Sequence, residues 1–169
     1  MDGKLFEMAQ RLARRYNTRD PYEIAENMGI DIIRSNRLKK LKGMYLYILR
    51  NPYIVINTNT PEEMQRIICA HELGHDRLHR KLAAQGGMQE ISLFDMTTRP
   101  EYEANVFAAE LMLADEDITA LQKEGYDAFQ IASKLNSDIN IVALKISQMK
   151  KRGYPFDVDL SLYDRKFIT

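Results

Sequence analysis

The apolar positions of the chain change period several times along its length, and the changes divide it into elements. Leu5, Ala9, Leu12 and Tyr16 recur at helical spacing, which predicts an amphipathic helix over residues 2–16. Asp20-Pro21-Tyr22-Glu23 reads as a capping box with proline at the first helical position, opening a short helix that Gly29 ends. Ile30 to Ile33, Gly43 to Leu49 and Tyr53 to Asn57 are rich in aliphatic and tyrosine residues and read as strands. Asn51-Pro52 is a turn signal that makes the last two an antiparallel pair. Thr60-Pro61-Glu62-Glu63 then reads as an N-cap, a proline at the first position and the far partner of a capping box. Behind it Met64, Ile67, Ile68, His71, His75, Leu78 and Leu82 keep helical spacing, predicting a helix over 61–82.

Residues 83–99 contain Gly86-Gly87 and no clear period, and read as a loop with a short helical turn at 91–95. Helices are predicted from Pro100 to about residue 113 and over 115–123, 127–135 and 139–151, followed by a tail, 156–169, without a clear pattern. A small antiparallel or mixed sheet followed by helices is an α+β arrangement.

Length and composition narrow the picture. The 169 residues fit one domain, 1–169, and 45% hydrophobic content is enough for a core. Lysine plus arginine equals aspartate plus glutamate, 24 each, so no global charge argues for nucleic acid or a membrane surface. Cys69, the one cysteine, excludes an intrachain disulfide framework and fits a reducing compartment. Without an N-terminal apolar stretch or a run long enough to span a bilayer, the expectation is a soluble cytoplasmic protein.

The chemistry is concentrated in His71-Glu72-Leu73-Gly74-His75, an H-E-x-x-H stretch. On a helix its two histidines lie about one turn apart, a rise of roughly 6 Å. Both imidazoles then leave one face and can bind a single ion. Glu72 sits one step round, within reach of a water at the ion's open position. Zinc suits such a donor set. A lone inward histidine is more often a core residue than a ligand; two a turn apart with a glutamate at this offset are harder to explain by packing alone.

Two histidines need a third ligand. His79 shares their face but lies roughly 12 Å along the axis from His71. It is read as a helix-face residue or a partner behind the ligands, unless the helix breaks. On the next helix Glu101 shares a stripe with Ala104, Asn105, Ala108, Leu111 and Met112, whereas Glu103 falls on the opposite side with Glu110. Glu101 is therefore expected to face the histidines and Glu103 the solvent. The plain alternative for Glu101 is a capping box with Thr98. Asn105, a turn beyond Glu101, is placed either to hydrogen-bond a ligand histidine or simply to fill a helix crossing.

His71-Glu72-Leu73-Gly74-His75 with Leu78-His79, then Glu101-x-x-Ala104-Asn105-x-Phe107-Ala108-x-x-Leu111, resembles the ImmA/IrrE family of metallopeptidases. Gly43 and the strand Tyr53-Ile54-Val55-Ile56-Asn57 resemble it too, and the similarity covers roughly residues 20–150. The resemblance implies a zincin-like core, zinc held by His71, His75 and Glu101, and a catalytic Glu72. It also implies a place on a mobile element or prophage, beside a helix-turn-helix repressor that the enzyme cleaves or inactivates. Leu113-Ala114 departs from the proline found in many members, which touches only the helix end.

The expected function is thus a zinc-dependent endopeptidase with a narrow protein substrate, such a repressor, met as an extended strand along an edge at 53–57. The alternative is a non-catalytic, metal-containing module that acts by binding a regulator. A third reading, DNA binding by the loosely helix-turn-helix-like stretch 127–151, is disfavoured by the neutral chain; its basic end reads as a solvated face of a helical hairpin. Cys69 reads as core packing. Tyr45, Tyr47 and Tyr53 are all candidates for an oxyanion hydrogen bond, and alternation along a strand does not choose between them.

Overall fold

A computed structural model describes residues 2–84, 88–90 and 96–156. The chain runs α1 (Asp2–Tyr16), α2 (Pro21–Asn27), β1 (Asp31–Ser35), β2 (Gly43–Ile48), β3 (Asn51–Asn57), α3 (Glu62–Ala83), β4 (Met88–Glu90), α4 (Arg99–Met112), α5 (Asp115–Lys123), α6 (Ala128–Lys134) and α7 (Ile139–Lys151). The expected α+β architecture, a small mixed sheet packed against helices, is present. The helical turn expected at 91–95 and the tail beyond residue 156 lie outside the described residues.

The sheet has the order β1-β3-β2-β4. β1 runs parallel to β3, and β2 is antiparallel to both β3 and β4. β3 is therefore internal, which corrects its reading as the edge for a substrate strand. Its Ile54, Val55, Ile56 and Asn57 are buried in succession, the signature of a strand covered on both faces rather than one at a rim. The turn between β2 and β3 also differs from expectation. It is made by Leu49 and Arg50, both at positive φ, 50° and 68°, the combination a two-residue type I′ hairpin requires. Asn51-Pro52 is already strand, paired with Ile48 and Tyr47. Pro52 is tolerated because the pairing of β3 with β1 starts only at Tyr53, so no ladder hydrogen bond is lost on that side. The stretch read as a loop, 83–99, contributes β4, which pairs with Gly43–Tyr45.

Two helices carry the molecule. Residues 67–76 of α3 are all buried, as are residues 104–111 of α4. An amphipathic pattern marks a helix covered on one side; these two are covered all round. α3 lies on the sheet, with α2 and α4 against it, and α4 is enclosed by α1, α3 and α7. Gly74 lets the two approach: a Cβ there would sit 3.1 Å from the Ala104 Cα and 3.1 Å from Phe107 Cδ1. The start of α3 differs from its sequence signal. Pro61 is the N-cap, with no side-chain cap. The Thr60 hydroxyl instead donates to the Asn57 carbonyl at 2.7 Å, fastening the loop to the end of β3.

The far side of α4 holds a feature invisible to the pattern. Glu110, expected on a solvent face beside Glu103, is completely buried. With Asp115 it faces Lys145 and Arg152: Lys145 Nζ lies 2.5 Å from carboxylate oxygens of both acids, and Arg152 pairs with both. The Phe6 ring lies beneath the two cations, 5.7 Å from Lys145 Nζ and 4.2 Å from the Arg152 guanidinium carbon. Two positive and two negative groups close on each other and tie α1, α4, α5 and α7 together. Near the same end of α4, Arg19 Nη1 donates to the carbonyls of Glu110 and Leu111 at 3.2 and 2.8 Å. These bonds satisfy the last turn of the helix, which ends at an extended Leu113 without a proline.

Residues 141–149 of α7 are buried, and Arg152 belongs to the charge cluster. This helix has no free face to lay into a DNA groove.

Removing one partner from a buried ion cluster leaves an opposite charge uncompensated, at a cost of about 3–5 kcal/mol. Lys145→Met should therefore lower the unfolding free energy in urea by that order. A change below about 1 kcal/mol, the range of an exposed pair, would show that the cluster relaxes into solvent instead.

Candidate metal centre

The site forms where α3 meets the start of α4. His71 and His75 are buried on α3, and their Nε2 atoms face each other at 2.9 Å. Glu101 comes from the first turn of α4, its Oε2 3.1 Å from His71 Nε2 and 3.6 Å from His75 Nε2. Among the described residues these three are brought together as a set able to hold one ion. Tetrahedral zinc, with bonds of about 2.0–2.1 Å, puts its donor atoms roughly 3.3 Å apart. The three observed separations bracket that value. Glu101 Oε2 is buried and accepts no hydrogen bond of its own. Two imidazole nitrogens and one carboxylate oxygen, all directed at the same point, are the donor set of a divalent transition metal.

Thr98 explains how Glu101 reaches this position. Its hydroxyl accepts from the Glu101 backbone N–H at 3.4 Å and caps the helix. Only the Thr98 half of the expected capping box is present: the Glu101 backbone N–H is capped, while its side chain points at the histidines.

The surroundings prepare the donors. Asn105 Oδ1 lies 2.9 Å from His71 Nδ1, and its Nδ2 donates to Met96 Sδ at 3.7 Å, which orients the amide with its oxygen toward the ring. An N–H at His71 Nδ1 leaves a lone pair at Nε2, on the side of the site. Of the two roles open to Asn105, the geometry is that of a histidine partner. Burial pushes His75 down to about 4, so the ring is neutral at physiological pH and needs to lose no proton before binding an ion. Burial alone would raise the Glu101 carboxyl, but the two imidazoles beside it outweigh that and hold it well below the usual carboxylate range.

Glu72 is completely buried beside the histidines. The floor beneath it is Gly43, the first residue of β2. A Cβ at Gly43 would lie 2.7 Å from Glu72 Oε1 and 2.4 Å from Ile68 Cγ2, so only glycine leaves this carboxylate its place. Gly43 was noticed in the sequence through resemblance alone; its role depends on a strand-to-helix approach that no local pattern encodes.

Several residues differ from expectation. His79 has non-helical dihedrals, φ −126° and ψ 17°, so α3 does break there. Its ring turns back to put Nδ1 3.0 Å from His75 Nδ1. Glu103 is not a solvent residue: its Oε2 lies 3.0 Å from His79 Nε2, and Arg99 Nε donates to its Oε1 at 2.8 Å. The expectation failed because it considered the face of α4 alone, and the Glu103 side chain finds partners in His79 across the crossing and Arg99 one turn back. Tyr45 is removed from the oxyanion candidates. It is buried, and its hydroxyl donates to Asp76 Oδ1 at 2.7 Å, where Arg80 Nη2 also donates at 2.6 Å. Tyr47 lies under the Arg80 guanidinium. Cys69 is buried, and burial pushes its thiol up, away from nucleophilic use.

A peptidase family model described as the IrrE N-terminal-like domain matches residues 25–147, which span the sheet, α3, α4 and most of α7. The chain belongs to this family. Relatives of the chain include "Uncharacterized immunity region protein 2" of Bacillus phage phi105, 37% identical over 142 residues, covering 83% of this chain and 89% of the relative. "Metallopeptidase ImmA" of Bacillus subtilis strain 168 is 27% identical over 142 residues, covering 83% of this chain and 82% of the relative. Membership in this IrrE-like peptidase family implies a metal cofactor and a protein substrate. Among the described residues no helix is long and apolar enough to cross a membrane.

If Glu101 rather than Glu103 is the third donor, Glu101→Ala should abolish stoichiometric metal uptake. Glu103→Ala should still reach about one ion per chain at saturating metal. Elemental analysis after desalting decides it, and the reverse ranking would remove Glu101 from the donor set.

Proposed function

We propose that the chain is a cytoplasmic zinc endopeptidase, one catalytic domain over 1–169, whose substrate is a helix-turn-helix repressor of a mobile element or prophage. The observation that carries the enzymatic half is the convergence of His71 Nε2, His75 Nε2 and Glu101 Oε2 on one point beside a buried Glu72. The regulatory half rests on the resemblance to the ImmA/IrrE family and on the phage relative, whose name places that protein in an immunity region.

His71, His75 and Glu101 would hold the zinc. When bound, zinc acidifies a coordinated water and polarises the scissile carbonyl. Glu72 accepts the proton of the attacking water and returns it to the leaving amine. The buried, largely neutral surroundings keep competing bulk water away from that carboxylate and strengthen each charge–dipole contact. Asn105 holds His71 with its lone pair toward the ion.

An extended substrate adds to a sheet edge. β3 is internal, so that edge is not 53–57. On the Glu72 side the sheet runs from Gly43 in β2 to β4, and no further strand follows among the described residues. The substrate backbone is accordingly assigned to the open side of β4.

Glu72→Gln keeps the shape of the side chain and removes the base. It should leave zinc content and partner association intact while cleavage falls by ~10²–10⁴. His75→Ala should lose metal and activity together. Each variant is co-expressed with a candidate helix-turn-helix repressor, following intact repressor on a gel and the repressed promoter with a reporter. Full derepression by Glu72→Gln without a cleavage product would show a module that works by binding and would sink the peptidase reading.

A further inference from the structure

His79 lies one turn beyond His75 on the same face of α3, the spacing at which helix side chains meet, and its ring stands 5.2 Å from that of His75, centre to centre. The residue itself has non-helical dihedrals, and α3 continues beyond it as far as Ala83. The result is a buried chain of contacts running outward from the site: His75 Nδ1 to His79 Nδ1 at 3.0 Å, His79 Nε2 to Glu103 Oε2 at 3.0 Å, and Glu103 Oε1 to Arg99 Nε at 2.8 Å.

The direction of each hydrogen bond follows from the inner end. The His75 atom that faces His71 Nε2 and Glu101 is Nε2, so a lone pair for an ion belongs there and the ring hydrogen sits on Nδ1. His79 Nδ1, 3.0 Å away, is then the acceptor, and the N–H of His79 lies at Nε2, donating to Glu103 Oε2. Arg99 Nε donates to the other oxygen of the same carboxylate. His71 reaches the same tautomer in one step, through Asn105. His75 reaches it in two.

We propose that His79, held by Glu103, is a positioning residue that fixes the ring orientation and Nδ1–H tautomer of His75 and so sets the metal affinity of the site. The inference rests on the zinc-peptidase reading of His71, His75 and Glu101. His79 itself is not a ligand: both its nitrogens are engaged elsewhere.

The test is zinc affinity of the purified full chain, measured by competition with a chromogenic chelator. Loss of a partner behind a metal-bound histidine typically costs 10–100-fold in affinity. His79→Phe keeps the ring volume and removes the acceptor, and should weaken zinc by that factor. His79→Asn places an amide oxygen where Nδ1 lies, and should stay within a few-fold of wild type. A packing role predicts the opposite order, since phenylalanine fills the space and asparagine leaves a gap. Glu103→Leu should behave as His79→Phe, and Glu103→Gln, whose carbonyl still accepts, as His79→Asn. This second pair decides the matter if His79→Phe fails to fold, which a thermal melt of the metal-free chain reveals. Wild-type affinity in both His79→Phe and Glu103→Leu, or equal losses in His79→Asn and His79→Phe, would overturn the proposal while leaving the metal centre in place. Absence of zinc binding by the wild type would instead overturn the metal-centre reading, and this inference with it.

Discussion

The close approach of α4 to α3 is the constraint on which the rest depends. No side chain stands between the helices at Gly74, and the Ala104 backbone occupies the space a Cβ would take. A donor set built from two helices needs their separation fixed to within a few tenths of an ångström, because metal–ligand bonds tolerate little more. Small residues at the crossing provide that. They set the distance by backbone contact, which cannot rotate away, rather than by the ends of flexible chains. From this single crossing α4 supplies Glu101 to the site, Asn105 to His71 and Glu103 to His79.

An approach this close must be held from behind. The apolar core does part of it, with Phe107, Leu111, Ile67, Ile68 and Leu73 buried around the two helices. The cluster of Glu110, Asp115, Lys145 and Arg152 does something apolar packing does less well. Hydrophobic contacts are non-directional and allow one helix to slide along another. A closed set of two acids and two bases, with Lys145 and Glu110 fully buried, has one satisfied arrangement and a steep cost for departing from it. Locking the register of α4 on the side remote from the metal centre keeps the donors on the near side in place.

Much of this was legible in the residues. The H-E-x-x-H face and the side of α4 on which Glu101 lies follow from helical spacing, because each is a property of one straight element, and the strand-rich stretches between the helices carry the α+β class. What escaped depends on two elements at once or on an element that is not straight. The side of Glu103 was misjudged because its carboxylate, on the other side of α4 from Glu101, still reaches the His79 ring across the helix crossing. Glu110 was misjudged because a glutamate on the face opposite the site normally meets water, and only the packing of α7 shows that here it meets Lys145. The edge of the sheet was misjudged because β1 pairs with β3 rather than with β2, its neighbour in sequence, and β4 comes from a stretch without a clear period. Gly43 and Gly74 were visible as letters, yet their function lies in what a methyl group there would strike.

The arrangement of the centre is that of a cation site. His75 is held neutral by burial, and His71 Nδ1 faces the Asn105 oxygen. The two Nε2 atoms face each other at 2.9 Å, with one Glu101 carboxylate oxygen against both and the Glu72 carboxyl group buried beside them. A divalent ion at the common point would bond to all three donor atoms at once. With Glu101 as the carboxylate donor, Glu72 would remain free of coordination, a base beside the open position. Such a division of labour between two acids, one fixed to the metal and one kept for the proton, is the one the proposed hydrolytic reaction needs. It follows from where α3 and α4 put them.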